Sequence, residues 1–170
     1  MKESVQTACS YVRSRARELG IPDDAFDRSD LHVHFPAGAI RKDGPSAGVA
    51  VATTIASVMA ERPIRHDVAM SGELTLRGKV LSVGGIKEKV IAARRARIRR
   101  IVLPMGNRKD LAEVDDNVKA DLEFVFAERV EDVWNESLIQ VFVVNPERRR
   151  RYDEAEFAAD RARDGRREQT

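Results

Sequence analysis

The apolar positions of the first twenty residues fall at helical spacing. Val5, Ala8, Cys9, Val12, Ala16 and Leu19 recur on one face, and Arg13, Arg15, Arg17 and Glu18 occupy the other. Gly20, with Pro22 just beyond it, supplies a stop, so one amphipathic helix ending at Leu19 is predicted. Residues 31–35, Leu-His-Val-His-Phe, alternate as a strand does and run into Pro36 and Gly38, which open a polar loop reaching Gly44. From Pro45 the chain turns small and apolar on every side, through Ala47, Val49, Val51, Ile55 and Val58. A helix without a polar face belongs in the middle of a core, and Glu61 to Pro63 ends this one.

Residues 68–85 read as short strands joined by a turn at Arg77 and Gly78, followed by a Lys- and Arg-rich helix over Ile86 to Arg97. Apolar runs at 101–104 and 122–126 and a short helix around Val130 to Leu138 complete an alternation of helix and strand. That alternation predicts a mixed α/β (α+β) architecture, a single compact domain over residues 1–140. After Gln140 the texture changes. An apolar tetrad at 141–144 is followed by Asn145 and Pro146, and from Glu147 onward eight Arg face seven Asp and Glu. Residues 141–170 are therefore expected to form a charged C-terminal extension, helical or disordered.

Composition narrows the function classes. A chain of 170 residues suits one domain and is long enough to bury roughly 70% of its unfolded surface without staples. Its one cysteine, Cys9, excludes an intrachain disulfide and a multi-cysteine zinc site, and reads as a small core residue. The 30 Lys and Arg nearly balance the 28 Asp and Glu, so charge alone does not predict nucleic-acid binding. No apolar run of signal-peptide length opens the chain, and residues 47–60 fall short of the roughly 20 that cross a bilayer. The expectation is a soluble protein of a reducing compartment, with no membrane partner.

Several chemistries lack their motif. Gly38 and Gly44 are followed by Ala39 and Pro45 rather than by Lys and a hydroxyl residue, so there is no Walker-type ATP site, and no Gly-x-Gly-x-x-Gly follows a strand. His32 and His34, two apart on the expected strand, would share a face, but no spacing fixes a third metal ligand from His66 or a carboxylate. Hydrogen-bonded strand histidines are the better reading.

The sharpest local feature is Lys-Asp-Gly-Pro-Ser-Ala-Gly at 42–48. Gly44 permits a tight turn and Pro45 suits a first helical turn, which holds Ser46 at a helix N-terminus beside unpaired amides and the positive end of the macrodipole. Two readings follow. Ser46 caps the helix, or it is a nucleophile whose neighbouring amides stabilise an oxyanion. A nucleophile needs a base, and the three histidines form no triad pattern. A lysine base must be neutral; free lysine, with a pKa near 10.4, is neutral in only about one molecule in a thousand at pH 7.4, and burial beside apolar side chains raises that fraction. Lys87 falls with Ile91 and Arg94, whereas Lys89 shares its helical face with Ile86, Ala92 and Ala93 and is the better candidate for desolvation. A surface lysine snorkelling past its apolar neighbours is the competing reading.

Taken together, Asp-Gly-Pro-Ser-Ala-Gly at 43–48, Gly-Gly-Ile-Lys-Glu-Lys at 84–89, the segment 32–39 upstream and 68–80 between them closely resemble the proteolytic domain of Lon proteases, a serine–lysine dyad family. The resemblance runs from about Met1 to Leu138, with several motifs in order and spacing. It implies a serine endopeptidase with Ser46 as nucleophile and Lys89 as general base, and an oxyanion held by backbone amides at Ser46 and Ala47. It places Ser71, where the family usually has Thr, as the hydroxyl that holds the lysine, and Glu73 and Asp43 as acidic residues bordering the site. Asp43 lies on a loop whose position would open or block the nucleophile, and His34 matches a histidine near the site without a firm role. Family members of the bacterial and mitochondrial type carry an AAA+ ATPase module, which would bind ATP and Mg, and close into homo-oligomeric hexameric rings. This chain is expected to lack that module and to hold no cofactor of its own. Unfolded polypeptides are the implied substrates, and the bacterial cytoplasm the implied setting, ahead of the mitochondrial matrix. The thirty residues at 141–170 depart from the family pattern. A non-catalytic module that binds nucleic acid through Arg94, Arg95, Arg97, Arg99 and Arg100 is the reading from a different class.

Overall fold

The computed structural model describes residues 2–35 and 44–139, so the extension predicted beyond Gln140 lies outside the described residues. The first predicted helix is two: α1 (Lys2–Ser14) and α2 (Ala16–Leu19). The break at Arg15 has a local cause. Ser14 Oγ donates to the Tyr11 carbonyl at 2.7 Å, the same oxygen that the Arg15 amide approaches at 3.2 Å. A serine bonding back to the previous turn competes with the helical ladder. Gly20 ends α2 as expected, in the left-handed conformation with φ 74°.

Residues 31–35 carry a correction: they belong to no strand. Val33 and Phe35 are half-buried while His32 and His34 are exposed, so the alternation is present, yet no described strand pairs with it. Alternating burial without a hydrogen-bonded neighbour is extended chain, not sheet.

The apolar helix α3 (Gly48–Ala60) begins three residues after Pro45, with Ala47 rather than Ser46 as its N-cap. Val49, Ala52, Ile55 and Ala56 are buried against Ala8, Tyr11 and Val12 of α1, because side chains this small let the two helices approach closely. Beyond it come β1 (Val68–Met70), β2 (Glu73–Leu74), β3 (Val80–Leu81), α4 (Ile86–Arg95) and β4 (Arg100–Pro104). A 3₁₀ segment (Met105–Glu113), α5 (Asp116–Lys119), β5 (Glu123–Ala127) and α6 (Val130–Ser137) complete the described chain. Among the described residues no helix is long and apolar enough to cross a membrane.

Strands β1, β4 and β5 form a parallel sheet in the order β1-β4-β5, with Ile101 opposite Ala69 on one side and Phe124 on the other. Strands β2 and β3 form a separate antiparallel hairpin. The central strand β4 is buried on both faces, as its unbroken apolar run requires. Val102 points into the core shared with α1, α3 and α6, while Ile101 and Leu103 join Ile86, Val90 and Ala93 of α4 on the opposite face. Each such fully buried side chain stabilises the fold by about 1.5–3 kcal/mol. Because β1 and β4 run parallel, the residues leaving them, Ser71–Gly72 and Met105–Asn107, emerge at the same end of the sheet. Open α/β sheets collect their functional groups at this carboxyl end.

Candidate active site

Ser46 sits one residue ahead of the α3 N-cap and is half-buried. Its main chain is held twice: the Gly72 amide donates to the Ser46 carbonyl at 3.0 Å and Ser71 Oγ donates to the same oxygen at 3.2 Å. Two glycines make this approach possible. A Cβ on Gly48 would lie 2.7 Å from the Leu74 amide nitrogen, and one on Gly72 would lie 2.7 Å from Val80 Cγ1. Residues 46–49 and 72–74 are thus in direct backbone contact, and Val49 N–H closes the join by donating to Gly72 O at 3.2 Å.

The cap of α3 carries no side-chain hydrogen bond, so Ser46 is not used as a cap. The expected pool of unpaired amides is smaller than the helix tip suggested. The Gly48 amide donates to Pro45 O at 3.0 Å and the Val49 amide is spent on Gly72, which takes both out of any oxyanion site.

Lys89 lies in the first turn of α4, half-exposed, and its Nζ donates to the Gly84 carbonyl. Gly85, the N-cap, is left-handed at φ 68°, and a Cβ there would lie 3.5 Å from Lys89 Nζ. Thus Ser71, named as the hydroxyl holding the lysine, donates to the Ser46 carbonyl, while the lysine is held by Gly84. Glu73 lines a cleft of about 380 Å³ together with Gly44, Pro45 and the first turns of α1 at Glu3, Ser4 and Thr7. A larger hollow of about 820 Å³ lies at the other end of α3, between Pro22, Leu31 and Val58, and holds none of the candidate residues. Asp43 lies outside the described residues, and His34 is exposed on the extended segment.

Other candidates resolve into structure. Cys9 packs half-buried against the core, and burial pushes its thiol pKa up, away from reactivity. In the arginine cluster, Arg94 pairs with Asp121 at 2.6 Å, and Arg100 with Glu123 at 2.8 Å and Glu136 at 2.6 Å. Two of the five charges are thus paired within the chain. The residue that sequence reasoning missed is Asn107, which is buried with only 2% exposure and bonded to the main chain of Val83 just ahead of Gly84. Following Met105 and Gly106 after a strand, it reads as an ordinary turn residue, and no sequence signal marks it.

Ser46 ahead of α3 and Lys89 in the first turn of α4 thus stand at two helix tips of a mixed α/β domain built on a three-stranded parallel sheet. Comparison with known proteins makes this particular. A family model for the Lon protease C-terminal proteolytic domain matches residues 1–140. The chain is 54% identical over 145 residues to a Lon protease of Desulforamulus reducens, covering 85% of this chain and 18% of that protein. It is 55% identical over 140 residues to a Lon protease of Heliobacterium modesticaldum, covering 82% and 17%. A Lon protease of Dictyoglomus thermophilum is 50% identical over 141 residues, with 83% and 18% covered. The chain therefore belongs to the Lon protease proteolytic-domain family, and it spans less than a fifth of the length of these curated relatives.

Proposed function

We propose that this chain hydrolyses peptide bonds in unfolded polypeptides, with Ser46 as nucleophile and Lys89 as general base. The observation that carries the reading is the double anchoring of the Ser46 carbonyl by Ser71 and Gly72, which fixes the residue while leaving its hydroxyl out of the helix cap. In this scheme Lys89 keeps one N–H on the Gly84 carbonyl and takes the Ser46 proton on its nitrogen. As Ser46 Oγ bonds to the substrate carbonyl carbon, its proton passes to Lys89, and the carbonyl electrons move onto oxygen. The Gly48 and Val49 amides are engaged, and the proposal assigns that oxyanion to the amides of Ser46 and Ala47, as the resemblance implies. Collapse of the tetrahedral species breaks the C–N bond, and Lys89 returns the proton to the leaving amine. Water then attacks the ester, giving one proton to Lys89 and through it to Ser46.

Ser71 acts on this scheme through the nucleophile's own carbonyl, to which it donates, and its oxygen keeps lone pairs that would accept an N–H of Lys89 in the role the resemblance implies. Glu73 borders the cleft where an extended substrate would lie beside Pro45, and the proposal keeps for Asp43 and His34 the supporting places that the resemblance implies. An AAA+ ATPase module, with its ATP and Mg, a hexameric ring and a bacterial cytoplasmic setting complete the proposal. Cleavage of a fluorogenic unstructured peptide tests it. Ser46→Ala and Lys89→Ala should each lower kcat by about 10³-fold or more, while equal rates in all three proteins would overturn it.

A further inference from the structure

The buried amide of Asn107 spends most of its hydrogen-bonding capacity on the main chain of Val83, a half-buried residue just ahead of Gly84. Oδ1 accepts from the Val83 amide at 2.9 Å, and Nδ2 donates to the Val83 carbonyl at 2.9 Å and to Asp110 Oδ2 at 2.6 Å. The side chain thus offers Val83 what a neighbouring strand would offer, a donor and an acceptor in register. Gly106 tightens the fit, because a Cβ there would fall 2.2 Å from Ser82 Oγ. The next residue after Val83 is Gly84, whose carbonyl receives Lys89 Nζ. Gly84 is exposed, with no atom within 4 Å of where its Cβ would be. Left to itself a glycine in open space is the loosest anchor a chain can provide, and a lysine head on its four-carbon stem needs a firm one.

We infer that Asn107 is a positioning residue: by clamping Val83 it fixes the Gly84 carbonyl, and that carbonyl orients the Lys89 amine for the Ser46 proton. The inference rests on the reading of Lys89 as general base. Its distinguishing property is that Asn107 acts through Lys89 and not on the fold at large.

The test follows modification of Ser46 by a fluorophosphonate across reagent concentrations, which separates the maximal rate from the half-saturating concentration. Asn107→Ala should lower the maximal rate by about 10- to 100-fold with half-saturation changed less than about 2-fold, the signature of a misplaced group and not of lost binding. Asp110→Ala, at a half-buried position, frees one amide hydrogen of Asn107 and should cost a smaller factor. Adding Asn107→Ala to Lys89→Ala should bring no further loss. A wild-type maximal rate in Asn107→Ala or Asp110→Ala overturns the inference, as does a full loss that persists when Lys89 is already absent. If Asn107→Ala does not fold, Asn107→Asp, which keeps the acceptor for the Val83 amide, and Asp110→Ala are judged by the same criteria. A Lys89→Ala protein that reacts at the wild-type rate refutes the base itself, whereas loss in Lys89→Ala with none in the Asn107 and Asp110 variants refutes the inference alone.

Discussion

The two helix tips that carry the proposed chemistry are built in opposite ways. At the serine tip the main chain is tightly packed: Gly48 against the Leu74 backbone, Gly72 against the Val80 side chain, and the Ser46 carbonyl under two donors. At the lysine tip Gly84 stands in open space, and order is brought in from outside by a single side chain, Asn107, reaching across from the segment after β4. A nucleophile must be held in one place while its hydroxyl stays free, and packing against main chain does that without touching Oγ. A base that exchanges a proton with several partners in turn needs a fixed pivot and a mobile head, and a clamped carbonyl under a long side chain supplies both.

The comparison can be broken, first, on the chemistry. Ser46→Ala should abolish peptide cleavage yet leave the urea midpoint within error, because the Ser46 hydroxyl makes no hydrogen bond to the fold among the described residues. A large loss of stability would mean that the serine is structural. The same methyl group then separates the two tips. Gly48→Ala forces a Cβ toward backbone and should destabilise by about 1–3 kcal/mol, whereas Gly84→Ala meets nothing and should stay within about 0.5 kcal/mol. Denaturant unfolding of the pair checks this directly; equal losses would erase the contrast.

A smaller effect sharpens the boundary of the site. Arg65 donates to both carboxylate oxygens of Asp67, at 3.1 and 2.9 Å, just ahead of β1, and this pairing holds the Asp67 carboxyl below its ordinary value. A depressed carboxyl in the folded state means that the unfolded chain takes up the proton first as pH falls. Its contribution is therefore present above the ordinary carboxylate range near pH 4 and is lost as pH drops through the folded value. Asp67→Asn should flatten the acid limb of stability slightly, because the pair is largely solvated, and leave the peptide-cleavage rate at neutral pH unchanged. Urea midpoints followed into acid for both proteins would show it.

Much of this was legible in the chain. The all-apolar run of α3, the doubly buried β4 and the left-handed stop at Gly20 are dictated by local pattern, and the structure has them. Ser46, at a glycine-flanked helix start, and Lys89, on a helical face with Ile86, Ala92 and Ala93, are singled out by pattern, but their proposed roles come from the family resemblance and not from spacing. What failed did so for physical reasons. The run at 31–35 alternates correctly, but a strand needs a partner and alternation does not provide one. The break at Arg15, where one amide is shared between the Tyr11 and Val12 carbonyls, is a detail that apolar spacing cannot reveal. Asn107 acts on residues twenty-four positions away, and its 3₁₀ segment has no apolar period to announce it. The engagement of the Val49 amide likewise arises from tertiary contact, since its acceptor, the Gly72 carbonyl, lies twenty-three positions away.

The central claim is that Lys89 activates Ser46. Reaction of the chain with a fluorophosphonate, with the adduct located by mass spectrometry, tests it most directly. The account predicts an adduct on Ser46 in the wild-type chain and one that forms about 10³-fold more slowly in Lys89→Ala under the same conditions; an adduct formed equally fast without Lys89, or carried by another residue, would contradict it.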